Sequence, residues 1–157
     1  MEPTIKLATI EDLEEIQKLS LLQFENELNN FDDTLNREWS LSKDGADYYK
    51  KSIENEDGCV FVSVIDGKII GYLQGEINQV GSNRILPRLA ELGYMFVMEK
   101  YRSTGVGTKL YQAFVDWCKK KDVKRLRVEA STKNAAAISF YEKNGFVEYD
   151  LILETDL

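Results

Sequence analysis

The chain has 157 residues, 43% of them hydrophobic and 30% charged, with only 2 prolines, a length and balance that predict one folded domain over residues 1–157 with no disordered linker. Its formal charge of -7 argues against general nucleic-acid binding, which needs Lys and Arg to neutralise phosphates. The absence of histidine removes Ser-His-Asp and Cys-His triads and every imidazole metal site, leaving acid-base work to Glu, Asp, Tyr or Lys.

No apolar run approaches the roughly 18 residues of a membrane span, and the charged opening MEPTIKLATIEDLEE lacks the apolar stretch of a secretory signal. A cytoplasmic protein without membrane contact is expected. Cys59 and Cys118 are far apart and form no C-x-x-C pair, so they are expected to be buried thiols, with no disulfide and no metal.

Ile5 and Leu7 alternate with polar neighbours, which predicts a strand over Thr4 to Ala8. Thr9 is placed to cap a helix, with Asp12 at its third position. That helix is predicted to reach about Leu28, its apolar stripe being Leu13, Ile16, Leu19, Leu22 and Leu28. Asn29 to Gly45 has no clear period and reads as a loop or irregular helix before a helix near Ala46 to Asn55.

The run CVFVSVIDGKIIGYLQGEI gives two strands joined at Asp66-Gly67, a dipeptide that supplies positive φ in tight hairpins. A third strand is predicted around Ala90 to Met98, then a helix over Val106 to Lys121 with Val106, Leu110, Ala113, Phe114 and Trp117 on one face. A strand over Arg125 to Ala130 follows, then a helix over Ala135 to Lys143 ended by Asn144-Gly145. A final strand pair is predicted around Phe146 to Leu153. The order describes a mixed, mostly antiparallel sheet flanked by about four helices, α/β or α+β by class, with a parallel crossover from Tyr94 through Val128.

The most informative stretch is Arg102-Ser103-Thr104-Gly105-Val106-Gly107, between a strand and an amphipathic helix. Helix-start N–H groups lack intrahelical partners and suit a phosphate or pyrophosphate, and glycine lets the backbone approach it. A P-loop needs G-x-x-x-x-G-K-[ST], and a dinucleotide fingerprint needs a glycine where Leu110 stands. Neither pattern is present. The turn taken alone is equally compatible with a plain structural role.

The R-x-x-G-x-G pattern resembles the phosphate-binding motif of the GCN5-related N-acetyltransferases. Asn134 to Phe146 is similar to that family's N-x-x-A-x-x-x-Y-x-x-x-G-F segment. The resemblance covers Glu91 to Val147 closely and extends through element order back to Ile5, except Asn29 to Gly58. It implies an acyl-CoA N-acyltransferase fold and acetyl-CoA as acyl donor, without a metal. Arg102, Ser103, Thr104, Gly105, Val106, Gly107 and Thr108 would wrap the CoA pyrophosphate, Phe96 and Val97 would hold the pantetheine through backbone bonds, and Asn134 would contact the cofactor arm. Ser103-Thr104 departs from the glycine or basic residue of many members.

The resemblance also puts Tyr141 at the general-acid position for the departing thiolate, its bland alternative being an aromatic packed on the sheet. As base it implies Glu91, which lies where the histone-acetylating members carry theirs; Glu76 and Glu129 are fallbacks, with solvated charge the alternative for each. Catalysis by direct attack in a ternary complex is the implied reaction, and a non-catalytic acyl-CoA sensor of the same fold is the rival. The acceptor would be a small-molecule or peptide amine, selected by the first two helices and their loop. There Phe24, Phe31 and Trp39 mix with Glu25, Glu27, Asp32, Asp33 and Glu38, either as an aromatic and acidic pocket for a cationic amine or as an anchored surface loop. Relatives often dimerise, which leaves a homodimer open.

Overall fold

The computed structural model describes residues 2–157. Nine elements follow in the order β1 (Thr4–Leu7), α1 (Leu13–Asn30), α2 (Lys43–Glu54), β2 (Gly58–Ile65), β3 (Lys68–Asn78), β4 (Leu89–Val97), α3 (Val106–Lys120), β5 (Arg125–Val128) and α4 (Ala135–Lys143). The sheet order is β1-β2-β3-β4-β5, antiparallel throughout except for the parallel pair β4–β5. This is the mixed, mostly antiparallel α/β architecture that the element order predicts.

Local chemistry accounts for the element ends. Asp66 (φ 50) and Gly67 (φ 75) both take left-handed conformations, which matches the twist of the two strands they join. The Thr9 N–H donates to Asp12 Oδ2 at 2.9 Å, but three residues of 3-10 helix, Ile10–Asp12, precede α1. Ser42 Oγ accepts from Gly45 N at 3.1 Å and starts α2 earlier than the apolar pattern suggests. Between them Arg37–Leu41 forms a 3-10 turn. At the other end Gly145 (φ 90) stops α4.

Two cores sit on opposite faces of the sheet. Cys59, Phe61, Leu73, Ala90, Leu92, Leu110 and Phe114 pack under α3 and α4, while Ile16, Leu19, Tyr49, Val60, Val62, Tyr72 and Phe96 pack under α1 and α2. Alternate residues of β2 feed the two cores, as a period of two requires. In β4 the phase changes midway. Gln74 lies opposite Tyr94 and Gly75 opposite Leu92, so Gly93 is an extra, unpaired residue. This bulge leaves Ala90 and Leu92 facing α3 and turns Tyr94 and Phe96 toward α1 and α2.

Two sequence expectations are corrected. Leu22, placed on the apolar stripe of α1, is 42% exposed, and Phe24 is buried in its place; a helix advances 100° per residue, and the contact with Trp39 draws Phe24 inward. No strand pair forms after α4. From Phe146 to Leu157 the chain has no regular structure, and Val147, Tyr149, Leu151, Ile152 and Leu153 are exposed. Strand propensity in that run finds no ladder partner.

Candidate active site

The site begins where β4 loses one neighbour. β5 pairs only with Leu89–Leu92, so Tyr94–Val97 has β3 on one side and no strand on the other. Met98 N donates to Ile70 O at 2.9 Å, and the alternation of an antiparallel ladder then commits the backbone groups of Phe96 to β3 and turns those of Met95 and Val97 to the free side. Of the two residues expected to offer backbone bonds, Val97 faces the opening. Phe96 contributes its ring instead.

β4 leads through a 3-10 turn, Glu99–Tyr101, into the glycine loop. Ser103 (φ 60) and Gly105 (φ 88) both lie in the left-handed region, where glycine is the unstrained choice. The Thr104 hydroxyl donates to Tyr101 O at 2.6 Å and holds the loop. Gly105 is the N-cap of α3. The first N–H groups of α3, from Val106 through Thr108, therefore point out of the helix start with its partial positive charge behind them. A Cβ on Gly105 or Gly107 would meet no atom within 4 Å, so no neighbouring group crowds either glycine. Val106 is buried in the core and presents only its backbone, whereas Thr108 is exposed.

Arg102 lies back over the strand. Its guanidinium sits 5.2 Å from the Phe96 ring centroid, and its Nε–H donates to Val97 O at 2.9 Å. Asn134 caps α4, its Oδ1 accepting from Ala137 N at 3.1 Å, which leaves its amide N–H groups for another partner. Tyr141, on α4, is 9% exposed among the α3-side core and edge-on to Phe140 and Phe146. Burial first, then the nearby charge of Glu27, pushes its hydroxyl up to about 12.

Glu91 faces away from Ala90 and Leu92, and its Oε2 accepts from Asn78 Nδ2 at 2.6 Å. In the ladder it lies opposite Glu76 on β3 and Arg127 on β5. Its charge, with that of Glu76, helps to raise the Tyr48 hydroxyl, after burial and Tyr94. Glu129 is exposed beyond β5. The structure thus puts Val97 on the open half of β4, with Arg102 through Thr108 following it in the loop to α3, sets Tyr141 in the α3-side core and Asn134 at the start of α4, and keeps Glu91 on the α1 and α2 side of the sheet.

The α1 and α2 side of the sheet, where the sequence reading expects the acceptor, carries a cluster of aromatic rings. Phe24 stacks on Trp39 at 5.4 Å, and Tyr94 lies 5.8 Å from Phe24 and 5.7 Å from Tyr48. Of the carboxylates in this region, Glu25 pairs with Arg37 at 2.7 Å and Asp32 accepts from the Thr34 hydroxyl and N–H. Glu27 is half-buried and accepts a neutral hydrogen bond from Gln23 Nε2 at 2.9 Å; burial raises its carboxyl above the ordinary range.

Behind Glu27 runs a buried polar chain that sequence reasoning did not find. Ser40 and Ser20 hydroxyls lie 3.0 Å apart, Ser20 and Tyr49 2.9 Å, Tyr49 and Tyr72 3.0 Å, and the Tyr72 hydroxyl donates to Gln23 Oε1 at 2.6 Å. One signal was available. Ile16, Ser20, Gln23 and Glu27 follow at steps of four, three and four residues, so three polar residues share the inward face of α1. Among the described residues no group of three or more His, Cys, Asp or Glu is arranged to hold a metal, and no helix is long and apolar enough to cross a membrane.

Comparison with known proteins agrees with this geometry. The chain is 30% identical over 110 residues to an N-alpha-acetyltransferase of Sulfurisphaera tokodaii, a match taking in 67% of this chain and 66% of that protein; it spans 46% of the length of two further N-acetyltransferases. The fold is similar to that of the PaiA N-acetyltransferase of Thermoplasma acidophilum, solved with coenzyme A, with TM-score 0.79, 22% identity and coverage of 97% of this chain and 94% of that one. It is also similar to aminoglycoside N-acetyltransferase AAC(6')-Iy, solved with CoA, with TM-score 0.74, 16% identity and coverage of 99% and 95%. Residues 13–146 match the Acetyltransferase (GNAT) family, and with the free-edged strand, glycine loop and buried tyrosine in place, the chain belongs to that family.

Proposed function

We propose that this protein transfers the acetyl group of acetyl-CoA to a primary amine of a small molecule or peptide, by direct attack within a ternary complex. The observation that carries the reading is the continuity of the open half of β4 with a left-handed glycine cap, so that an extended pantetheine and its pyrophosphate have adjoining places. The α3 N–H groups and Arg102 meet the pyrophosphate, Met95 and Val97 offer backbone groups to the pantetheine, and the free Asn134 amide faces the cofactor arm.

In the reaction the amine nitrogen bonds to the thioester carbon, the carbonyl oxygen takes negative charge, and the C–S bond breaks on collapse. Backbone N–H groups on the open side of β4 are the donors at hand for the oxyanion. The proton lost by nitrogen balances the one gained by sulfur. Tyr141 stays protonated at neutral pH because its hydroxyl is raised to about 12. A thiol of pKa about 8.5 is the stronger acid, so Tyr141 serves by donating a hydrogen bond to the developing thiolate, and any proton it passes on is replaced from solvent.

Aromatic rings beside Glu27 favour a cationic acceptor. The test is thiol release from acetyl-CoA against polyamines, aminoglycosides, amino acids and peptides with free N-termini. Amine-dependent release is expected from at least one class. Acetyl-CoA binding without release from any amine would overturn the enzymatic reading in favour of a sensor, and tighter binding of ATP or NAD than of acetyl-CoA would overturn both.

A further inference from the structure

Glu27, near the end of α1, is a half-buried carboxylate that the fold holds in place and that no Lys or Arg pairs with among the described residues. The Tyr72 hydroxyl donates to Gln23 Oε1 at 2.6 Å, which fixes the side-chain amide with its NH2 toward Glu27 Oε1, 2.9 Å away. Tyr72 is fully buried and Gln23 is 6% exposed. Tyr72 is in turn anchored through Tyr49 and Ser20 to Ser40. The chain connects β3, α2, α1 and the 37–41 turn and ends at one oxygen of Glu27. The other oxygen has no hydrogen-bond partner among the described residues.

The charge of Asp32, beyond the end of α1, adds to the raising of the Glu27 carboxyl, and the charge of Glu27 in turn helps to raise the hydroxyls of Tyr49 on α2, Tyr94 on β4 and Tyr141 on α4. No Lys or Arg pairs with it among the described residues. Leaving a half-buried carboxylate without a cation costs stability that a packed apolar residue would not. The arrangement suits a site that receives its positive charge from outside.

Resting on the acetyl-transfer reading above, the geometry points to Glu27 as the general base that takes the proton of the acceptor's ammonium group. The ammonium reaches the Glu27 oxygen that Gln23 does not hold and gives one proton to the carboxylate. The free amine then attacks the thioester carbon, and the protonated Glu27 returns its proton to water. Tyr141 and Glu27 thereby stand on the leaving-group and nucleophile sides of the reacting carbon. Gln23 is a positioning residue.

The experiment is the pH dependence of kcat/KM for the whole chain, wild type, Glu27→Gln, Glu27→Asp and Glu91→Gln, using the amine of the panel that gives the fastest CoA release. The wild type is expected to show an acid limb above the ordinary carboxylate range yet below the amine's own pKa. In Glu27→Gln, kcat/KM falls on the order of a hundredfold and follows the free-amine fraction instead, with acetyl-CoA affinity unchanged as a check on folding. Glu27→Asp keeps the limb at a lower kcat. A Glu27→Gln protein with the wild-type limb, or a limb removed by Glu91→Gln instead, would overturn the inference and leave the acetyl-transfer reading intact. Absence of CoA release from the wild type with every amine overturns both.

Discussion

Arg102 donates its Nε–H to the Val97 carbonyl at 2.9 Å while its guanidinium covers the Phe96 ring at 5.2 Å. The residue that brings positive charge to the glycine loop is thus tied to the carbonyl that faces the open side of β4. Its side chain lies back along the open edge of β4. A guanidinium has five donors, and the four not used on Val97 are free for phosphate oxygens.

Replacing Arg102 with Ala is expected to weaken acetyl-CoA binding by roughly tenfold or more, since a hydrogen bond to a charged group contributes about 1.5–3 kcal/mol. The salt dependence of binding should flatten in the same variant. Titration calorimetry at two ionic strengths measures both, and an affinity equal to wild type would take Arg102 out of the phosphate site.

Gly107 and Gly105 separate folding from binding. Gly107 lies inside α3 with ordinary φ and empty space where a Cβ would stand. Gly107→Ala should therefore leave stability unchanged or raise it by about 0.5–1 kcal/mol, yet weaken acetyl-CoA because the methyl group fills the anion's place. Gly105→Ala should lose about 1–2 kcal/mol of stability as well, because φ 88 is strained for any side chain. Thermal unfolding with and without acetyl-CoA distinguishes the two; a Gly107→Ala protein that binds normally would argue against an anion at that turn.

Tyr141→Phe should lower kcat on the order of a hundredfold while sparing acetyl-CoA affinity. The hydroxyl is raised to about 12, so its donor capacity is complete below that value and is lost as pH rises through it. No alkaline limb from Tyr141 is expected between about pH 7 and pH 10, since even an unperturbed tyrosine titrates only at roughly 10, and stopped-flow turnover across that range checks it. A wild-type rate in the Phe variant would reduce Tyr141 to a packed aromatic.

Glu27→Gln should stabilise the protein at neutral pH. Burial holds the folded-state carboxyl above its unfolded value, so between those two values the native state binds more protons than the unfolded chain. Stability then falls as pH rises through that window, and the cost is fully present above it. Glutamine keeps the Gln23 bond and has no charge to bury. The Tm of the Glu27→Gln protein is expected to exceed that of the wild type at neutral pH, and the difference to vanish below about pH 4, near the unfolded carboxyl value. A lower Tm for the variant at neutral pH would show that the ionised form is stabilised in the fold.

Much of the scaffold is legible in the sequence because its signals are local. Asp66-Gly67 fixes a hairpin, Val106, Leu110 and Phe114 mark the buried face of α3, and the glycine loop with Asn134 and Tyr141 carries the family resemblance. Each depends on backbone conformation or on neighbours within a turn or two. The β4 bulge is not legible: an alternating run cannot show which residue is skipped, and Gly93 is accommodated because the Gln74 amide and Tyr48 hydroxyl occupy the space a Cβ would need.

The sequence by itself determined the order of elements from β1 to α4, the glycine turn before α3 and the residue types available for acid-base chemistry. Tertiary structure decided which carboxylate of α1 is held half-buried and which backbone groups of β4 remain open. The physical reason is distance along the chain. Glu27 is held by Gln23, Gln23 by Tyr72 forty-nine positions away and Tyr72 by Tyr49, and the value of a half-buried polar group depends on partners that only folding brings together.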